Sequence, residues 1–262
     1  MLDWTKLDSL VRKWLEEAGE RIHQSFDRPL EISTKTGRND LVTIVDKETE
    51  KFFIERIQSH FPGHRIIGEE GQTDRPDSLD GIIWVIDPID GTMNFVHQRK
   101  NFAISIGIYE DGVGQLGYIF DVVHRELYFA RRGGGAFFNH HKLPPLGKVS
   151  LENALIGLNA NWIAKDPSFI PIVREAHGTR SFGSAAIEMG YVACGWLDAY
   201  INVRLAPWDW AAGKIIVEEL GGKVTKLNGE SLSLMEKSNV LIARPGLHEE
   251  IVERYLAGHR GE

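Results

Sequence analysis

At 262 residues, with 42% hydrophobic and 26% charged side chains, the chain is long enough to bury a sizeable core and has the ordinary balance of a soluble globule. Its formal net charge of −7 excludes a nucleic-acid binder that relies on a basic face, and apolar runs such as Ile82–Ile86 are far too short to span a bilayer. The single cysteine, Cys194, excludes an internal disulfide and, with no export signal in Met1-Leu2-Asp3-Trp4, leads us to expect a reducing cytoplasm.

In chain order, residues 3–26 carry Leu7, Leu10, Val11, Trp14, Leu15, Ala18 and Ile22 at helical spacing, and Arg28-Pro29 ends that helix. A second helix is expected from about Val42 to Phe61, closed by Pro62-Gly63. Ile82–Ile86 reads as a buried strand. Phe102–Tyr109, Gln115–Val122 and Arg125–Arg131 are rich in β-branched and aromatic residues and read as a meander. The second half alternates. Strands are expected at Ala154–Leu158, Asp198–Val203, Lys223–Lys226 and Asn239–Ala243. Helices are expected at Phe169–His177, at Ala185–Cys194 behind a Ser184 cap, at Trp208–Leu220 before Gly221-Gly222, and at Leu247–Leu256. Helices, then a meander, then alternation imply an α+β fold of stacked layers rather than a simple doubly wound sheet. The expected organisation is one domain over 1–262, with halves of about 1–145 and 146–262 and a soft boundary near Pro144-Pro145.

The chemistry centres on Asp87-Pro88-Ile89-Asp90-Gly91-Thr92, directly after the strand Ile82–Ile86. Pro88 holds Asp87 extended, Asp90 is placed to cap a turn or short helix, and the N–H groups beyond it can receive an anion. Two carboxylates at such a strand end suit a divalent cation with phosphate, although Asp-Pro and Asp-Gly are also ordinary turn dipeptides. Three more places set acids in turn contexts: Gly68-Glu69-Glu70, Pro207-Trp208-Asp209-Trp210-Ala211-Ala212-Gly213, and Asp40-Leu41-Val42-Thr43 with Asp46. Each alone also reads as a solvated turn or a partner of a helix dipole. Asp46, in an otherwise apolar helical turn, needs a partner.

Together, in order and spacing, these motifs resemble the signatures of the inositol monophosphatase family over nearly the whole chain. The resemblance implies a layered αβαβα sandwich of the inositol monophosphatase and sugar phosphatase type. It implies a Mg²⁺-dependent, lithium-sensitive phosphomonoesterase, usually a homodimer. Carried over by position, Glu69, Asp87 and the carbonyl of Ile89 would hold one Mg²⁺, and Asp87, Asp90 and Asp209 a second, with two or three ions per site. Thr92, hydrogen-bonded to Asp46, and Glu69 would orient and activate the attacking water, while N–H groups of Gly91 and Thr92 would hold phosphate oxygens. Such a site is chemically reasonable, because Mg²⁺ takes oxygen ligands, and acids this crowded repel one another without cations. Glu70 reads as a loop residue, and Lys35 matches a family lysine.

At the substrate end, Arg180-Ser181-Phe182-Gly183-Ser184-Ala185-Ala186 resembles the family segment that meets the alcohol portion of the substrate, where Asp90, Gly183 and Ala185 would make contact. Inositol-selective relatives commonly carry a glutamate where this chain has Asn202, which can donate and accept but supplies no charge. Arg204, two residues on, is placed to attract a second phosphate. The expected activity is hydrolysis of inositol 1-phosphate and related small phosphate esters by direct attack of a metal-activated water. NADP(H) or fructose 1,6-bisphosphate as substrate stays open, as does a regulatory binding protein that kept the fold. The expected partners are a small phosphate ester and a second copy of the chain, with no nucleic acid and no membrane. Gly133-Gly134-Gly135 precedes a strand-like Ala136-Phe137-Phe138, so it reads as a hairpin turn, and His140-His141 lacks the spacing of a zinc site.

Overall fold

The computed structural model describes residues 2–27, 32–34, 41–73 and 76–257; Arg28-Pro29, Lys35 and Asp40 lie outside them. Helix α1 (Trp4–Ser25) starts where the Asp3 carboxylate accepts the N–H groups of Thr5 and Lys6, both at 3.1 Å. Its buried stripe includes Leu7, Val11, Trp14, Leu15, Ala18 and Ile22, as the spacing predicted. Strands β1 (Ile32–Thr34) and β2 (Leu41–Thr43) form an antiparallel pair. Helix α2 (Ile44–His60) therefore begins later than expected, because Val42 and Thr43 are spent on that pairing and Thr43 caps the helix.

The first large sheet has seven strands in sequence order: β3 (Arg65–Gly68), β4 (Ile82–Asp90), β5 (Ala103–Glu110), β6 (Val113–Asp121), β7 (Glu126–Arg131), β8 (Gly135–Phe138) and β9 (His141–Lys142). Only β3 and β4 run parallel; the rest is the expected meander, with the Gly133–Gly135 stretch turning β7 into β8. Helix α3 (Thr92–Gln98) links β4 to β5.

A second sheet holds β10 (Leu155–Leu158), β11 (Gly178–Arg180), β12 (Ala199–Leu205), β13 (Lys223–Thr225) and β14 (Ser238–Ala243), in the order β11-β10-β12-β14-β13. Its helices are α4 (Ala160–Lys165), α5 (Ile170–Glu175), α6 (Ala185–Cys194), α7 (Pro207–Glu219) and α8 (Leu247–Arg254). The helix expected over Phe169–His177 is shorter, since Pro167–Phe169 forms a separate 3₁₀ turn and Gly178 has already joined β11.

Three apolar cores define the layers. Trp14, Phe53 and Ile57 of α1 and α2 pack on Trp84, Ile106 and Tyr118 of the first sheet. The opposite face, with Ile83, Val85 and Ile119, meets Ile187 and Met189 of α6 and Ala211, Ala212 and Ile216 of α7, whose far sides meet Tyr200 and Ile242 of the second sheet. Ile156, Ile201 and Leu241 face outward onto Ile172, Leu247 and Ile251. The result is αβαβα, as expected.

Two details of this packing place the site. Gly107 and Gly117 lie so close to α7 that a Cβ on Gly117 would sit 2.6 Å from the Ala212 carbonyl oxygen. Tyr109 then donates its hydroxyl to the Ala211 carbonyl at 2.8 Å, and Ser105 to that of Trp208 at 3.2 Å, pinning the start of α7 to β5. The second detail corrects the sequence reading: β4 does not end at Ile86 but runs through Asp87 and Pro88 to Asp90. Asp87 pairs with Ser105 and Asp90 with Ala103, so two residues of β4 lie opposite the single Ile104. In a regular strand, residues three apart point to opposite faces; the bulge cancels that offset and turns both acids toward α7.

Candidate active site

Asp87 is fully inside the fold, where its Oδ1 accepts the N–H of Ile89 at 3.0 Å. Asp90 does not cap the following helix as the sequence suggested. Gly91 occupies that position with φ +93, and the Asp90 carboxylate turns instead to the start of α6. There Oδ2 accepts the Ala186 N–H at 2.7 Å and the Ser184 hydroxyl. A side chain at position 91 would also lie 3.0 Å from the Asn101 carbonyl oxygen, so the tight exit from β4 requires glycine for space as well as for φ. Asp209 stands in the first turn of α7 and accepts the Ala206 N–H at 2.7 Å.

These three carboxylates converge from two strand positions and one helix. Oxygens of Asp87, Asp90 and Asp209 all lie within 4.8 Å of one another. Glu69, just past β3, brings its carboxyl against that of Asp87. Burial, then the neighbouring Glu69, Asp90 and Asp209, hold Asp87 well above the usual carboxylate range. Burial, then Asp90 and Glu69, do the same to Asp209, with Lys237 opposing. Asp90 is pushed up to about 6 by burial, against the pull of its bonds from Ser184 and Ala186. Four hard oxygen donors, of which burial and crowding make the three aspartates reluctant to ionise, form a set that fits divalent cations, because a bound cation offsets both effects.

Asp46 finds the partners its position demanded. Its Oδ2 accepts the N–H of Thr43 at 2.8 Å and the Thr43 hydroxyl, closing a reciprocal cap. Its Oδ1 lies 3.2 Å from the Thr92 hydroxyl, whose single proton can go there or to the Ile89 carbonyl at 3.1 Å. Burial above all raises Asp46 to about 7, with Glu70 and Glu69 adding to it.

The substrate-end residues are also near at hand. Gly183 takes φ +79, and a Cβ there would lie 3.0 Å from the Asn94 amide nitrogen. Ala185 opens α6 beside Ser184. Asn202 uses its amide locally, donating to the Tyr200 hydroxyl at 2.8 Å and accepting the Arg204 N–H at 3.0 Å. Glu70 is tied by its N–H to Glu50 at 2.8 Å.

Two contributors escaped the sequence reading. Ser184 is the expected helix cap, accepting the Ile187 N–H at 3.2 Å, yet it also grips Asp90. Asn94 donates to the carbonyls of Asn101 at 2.8 Å and Phe182 at 2.7 Å, tying the turn after β4 to the Gly183 loop. The resemblance of Arg180–Ala186 hinted at the first; nothing in the sequence marked the second.

The profile of the inositol monophosphatase family matches residues 3–258. The chain belongs to that family. It is 54% identical over 261 residues to the inositol-1-monophosphatase of Bacillus subtilis, covering 98% of each chain. It superposes on inositol monophosphatase-II of Staphylococcus aureus with a TM-score of 0.90 at 42% identity, over 97% of this chain and 96% of that one. It also superposes on an IMPase/NADP phosphatase complexed with Mg²⁺ and phosphate, with a TM-score of 0.89 at 30% identity, over 95% and 94%. The protein is a phosphomonoesterase, and membership of this family brings dependence on divalent metal with it.

Proposed function

We propose that the protein hydrolyses inositol 1-phosphate and related small phosphate esters with two or three Mg²⁺ ions. Glu69, Asp87, the Ile89 carbonyl, Asp90 and Asp209 would hold them. The observation that carries this reading is the convergence of the Asp87, Asp90 and Asp209 oxygens within 4.8 Å. Bound there, Mg²⁺ supplies Lewis acidity and positive charge to a phosphoryl group.

The chain's own residues do the rest. Asp46 accepts the Thr92 proton, which leaves a Thr92 oxygen lone pair to receive a hydrogen bond from the attacking water beside Glu69. N–H groups of Gly91 and Thr92, at the start of α3 where no helical carbonyl precedes them, hold phosphate oxygens. Asp90, Gly183 and Ala185 meet the alcohol. The test is turnover of inositol 1-phosphate and p-nitrophenyl phosphate with and without Mg²⁺. Chelation should abolish both and Mg²⁺ restore them; turnover that survives chelation, or a phosphoenzyme trapped by acid quench, would contradict the reading.

One observation favours a wider substrate range. A cavity of ≈ 630 Å³ is lined by Lys165, Arg204, Lys226 and Lys237 as well as Trp162, Glu230 and Glu236, and Lys237 is near enough to act on Asp209. A second anionic group on the substrate would be accepted there, as in NADP or fructose 1,6-bisphosphate. The same reading includes a homodimer. Trp196 is 49% exposed at the edge of an aromatic cluster with Phe138 and Tyr191, both at 5.3 Å, which favours such a contact. It also includes one folding unit over 1–262, since a single apolar core joins both sheets, and a cytoplasmic location, supported by the lone Cys194. Among the described residues no helix is long and apolar enough to cross a membrane.

A further inference from the structure

Two buried glutamates stand behind the site, one at each end, and neither belongs to the acid cluster. Glu50, on α2, is completely buried. Its Oε2 accepts the N–H of Glu70 at 2.8 Å and its Oε1 the N–H of Gln72 at 3.3 Å. Gly68 leaves the room for it: a methyl group at 68 would overlap Glu50 Oε2. Glu188, in the first turn of α6, is 3% exposed. Its Oε1 alone accepts two bonds, from the N–H groups of Phe182 at 2.9 Å and Gly183 at 3.2 Å. Its Oε2 is buried with no hydrogen-bond partner, against Gly157, where a methyl group would overlap it.

Burying a carboxylate costs free energy, and an apolar side chain of similar volume usually serves stability as well or better. Fold stability alone does not account for two such groups. What they share is that both end on the backbone amides of a loop that carries site residues. Glu50 grips the residues on the C-terminal side of Glu69, and Glu188 grips Gly183 and its neighbour. Charge-assisted bonds to amides are short and directional, which suits fixing a loop from behind.

We propose that Glu50 and Glu188 are positioning residues, Glu50 holding the Glu69 turn through two separate oxygens and Glu188 holding the Gly183 loop through one. The bonding pattern makes a chemical distinction. Position 50 needs two acceptor atoms and so needs a carboxylate. Position 188 needs one acceptor atom, which an amide oxygen also supplies. The functional consequence rests on the proposed roles of Glu69 and Gly183; the difference in acceptor requirement does not.

The experiment uses the full-length chain with Glu50→Gln, Glu188→Gln and Glu188→Ala. Glutamine is nearly isosteric with glutamate, so the Gln pair decides even if the alanine variant does not fold. Amide hydrogen exchange at residues 70, 72, 182 and 183 is measured in metal-free protein, together with the Mg²⁺ concentration for half-maximal turnover and the KM for inositol 1-phosphate. Glu50→Gln should speed exchange at residue 70 or 72 and raise the Mg²⁺ requirement by about tenfold, the loss of one charge-assisted bond, while KM at saturating Mg²⁺ stays put. Glu188→Ala should speed exchange at 182 and 183 and raise KM by about tenfold with little change in the Mg²⁺ requirement, and Glu188→Gln should rescue both. Unchanged exchange in Glu50→Gln, or exchange at 182 and 183 as fast in Glu188→Gln as in the alanine variant, would overturn the proposal. If exchange follows the expected pattern while the Mg²⁺ requirement and KM do not, the positioning stands and the roles assigned to Glu69 and Gly183 fall.

Discussion

The acid cluster and the strand segment Asn202–Arg204 are both assigned to the site, but they are held very differently. Asp87, Asp90 and Asp209 each accept a backbone N–H, from Ile89, Ala186 and Ala206, at 2.7–3.0 Å. They sit on β4 and α7, and β5, the antiparallel neighbour of β4, is pinned to α7 by Ser105 and Tyr109. Asn202 and Arg204 lie instead beside an irregularity in the β12–β14 pairing, with Arg204 exposed and the Asn202 side chain bonded to its own strand neighbours Tyr200 and Arg204. The contrast separates two jobs. Groups that meet developing charge in a transition state gain from being fixed beforehand, whereas groups that choose among alcohols can be exchanged without disturbing that frame.

The hardest blow to the rigid end is Asp209→Asn, which takes a charged donor out of a buried set. It should lower kcat by about a thousandfold at saturating Mg²⁺, the factor that corresponds to breaking a buried charge interaction. Steady-state kinetics check it, and near wild-type turnover would mean that the cluster is not the metal site. Thr92→Ala should lower kcat by about a hundredfold and leave KM nearly unchanged, because positioning the water matters mainly in the transition state. A change confined to KM would assign Thr92 to substrate binding instead.

At the looser end, Asn202→Glu should shift the ratio of kcat/KM values toward inositol 1-phosphate, relative to NADP or fructose 1,6-bisphosphate, by about ten- to a hundredfold. The wild type should treat these substrates comparably or favour the second pair. A strong wild-type preference for inositol 1-phosphate, unmoved by the substitution, would show that this strand does not select. Ser184→Ala removes one bond to Asp90 together with the cap of α6, and should weaken Mg²⁺ binding about tenfold in calorimetry while lowering the melting temperature by a few degrees.

The smallest effect concerns pH. Burial raises Glu188 from 4.5 to about 7, opposed by its bonds from Phe182 and Gly183. An acid whose pKa is higher in the fold than in the unfolded chain contributes stability below its unfolded value, and that contribution is lost as pH rises through the folded one. Metal-free wild type should therefore lose melting temperature between about pH 4.5 and 7 more steeply than Glu188→Gln. Parallel curves would show that Glu188 titrates normally.

Glu69, Asp87, Asp90, Thr92 and Asp209 could be singled out from the chain because their motifs, each ambiguous alone, together resemble the family's signatures in order and spacing. Stacked helix and sheet layers followed from the order of the expected elements, the specific αβαβα arrangement from the family resemblance, and the meander from strand composition. What stayed hidden depended on contacts between distant segments. Glu50 lies among Lys47, Glu48 and Lys51 and reads as a solvated helix face; it is buried because Gly68 makes room 18 positions later. Asn94 binds the Asn101 carbonyl and, 88 positions away from itself, that of Phe182. The course of β4 was missed for a local reason: Pro88 and two acids look like a strand end, and only pairing to Ser105 and Ala103 shows the strand continuing.

That bulge in β4 also bears on how such a protein can change over time. Because one surplus residue decides which way Asp87 and Asp90 point, inserting or deleting a single residue between them would turn one acid away from its partners and cost the activity in one step. The Asn202–Arg204 segment lies at a register shift of its own, in the β12–β14 pairing, but point substitutions there alter side chains without moving the acid frame. With the proposed site, single substitutions on β12 would explore new alcohols while the register of β4 keeps the acids together.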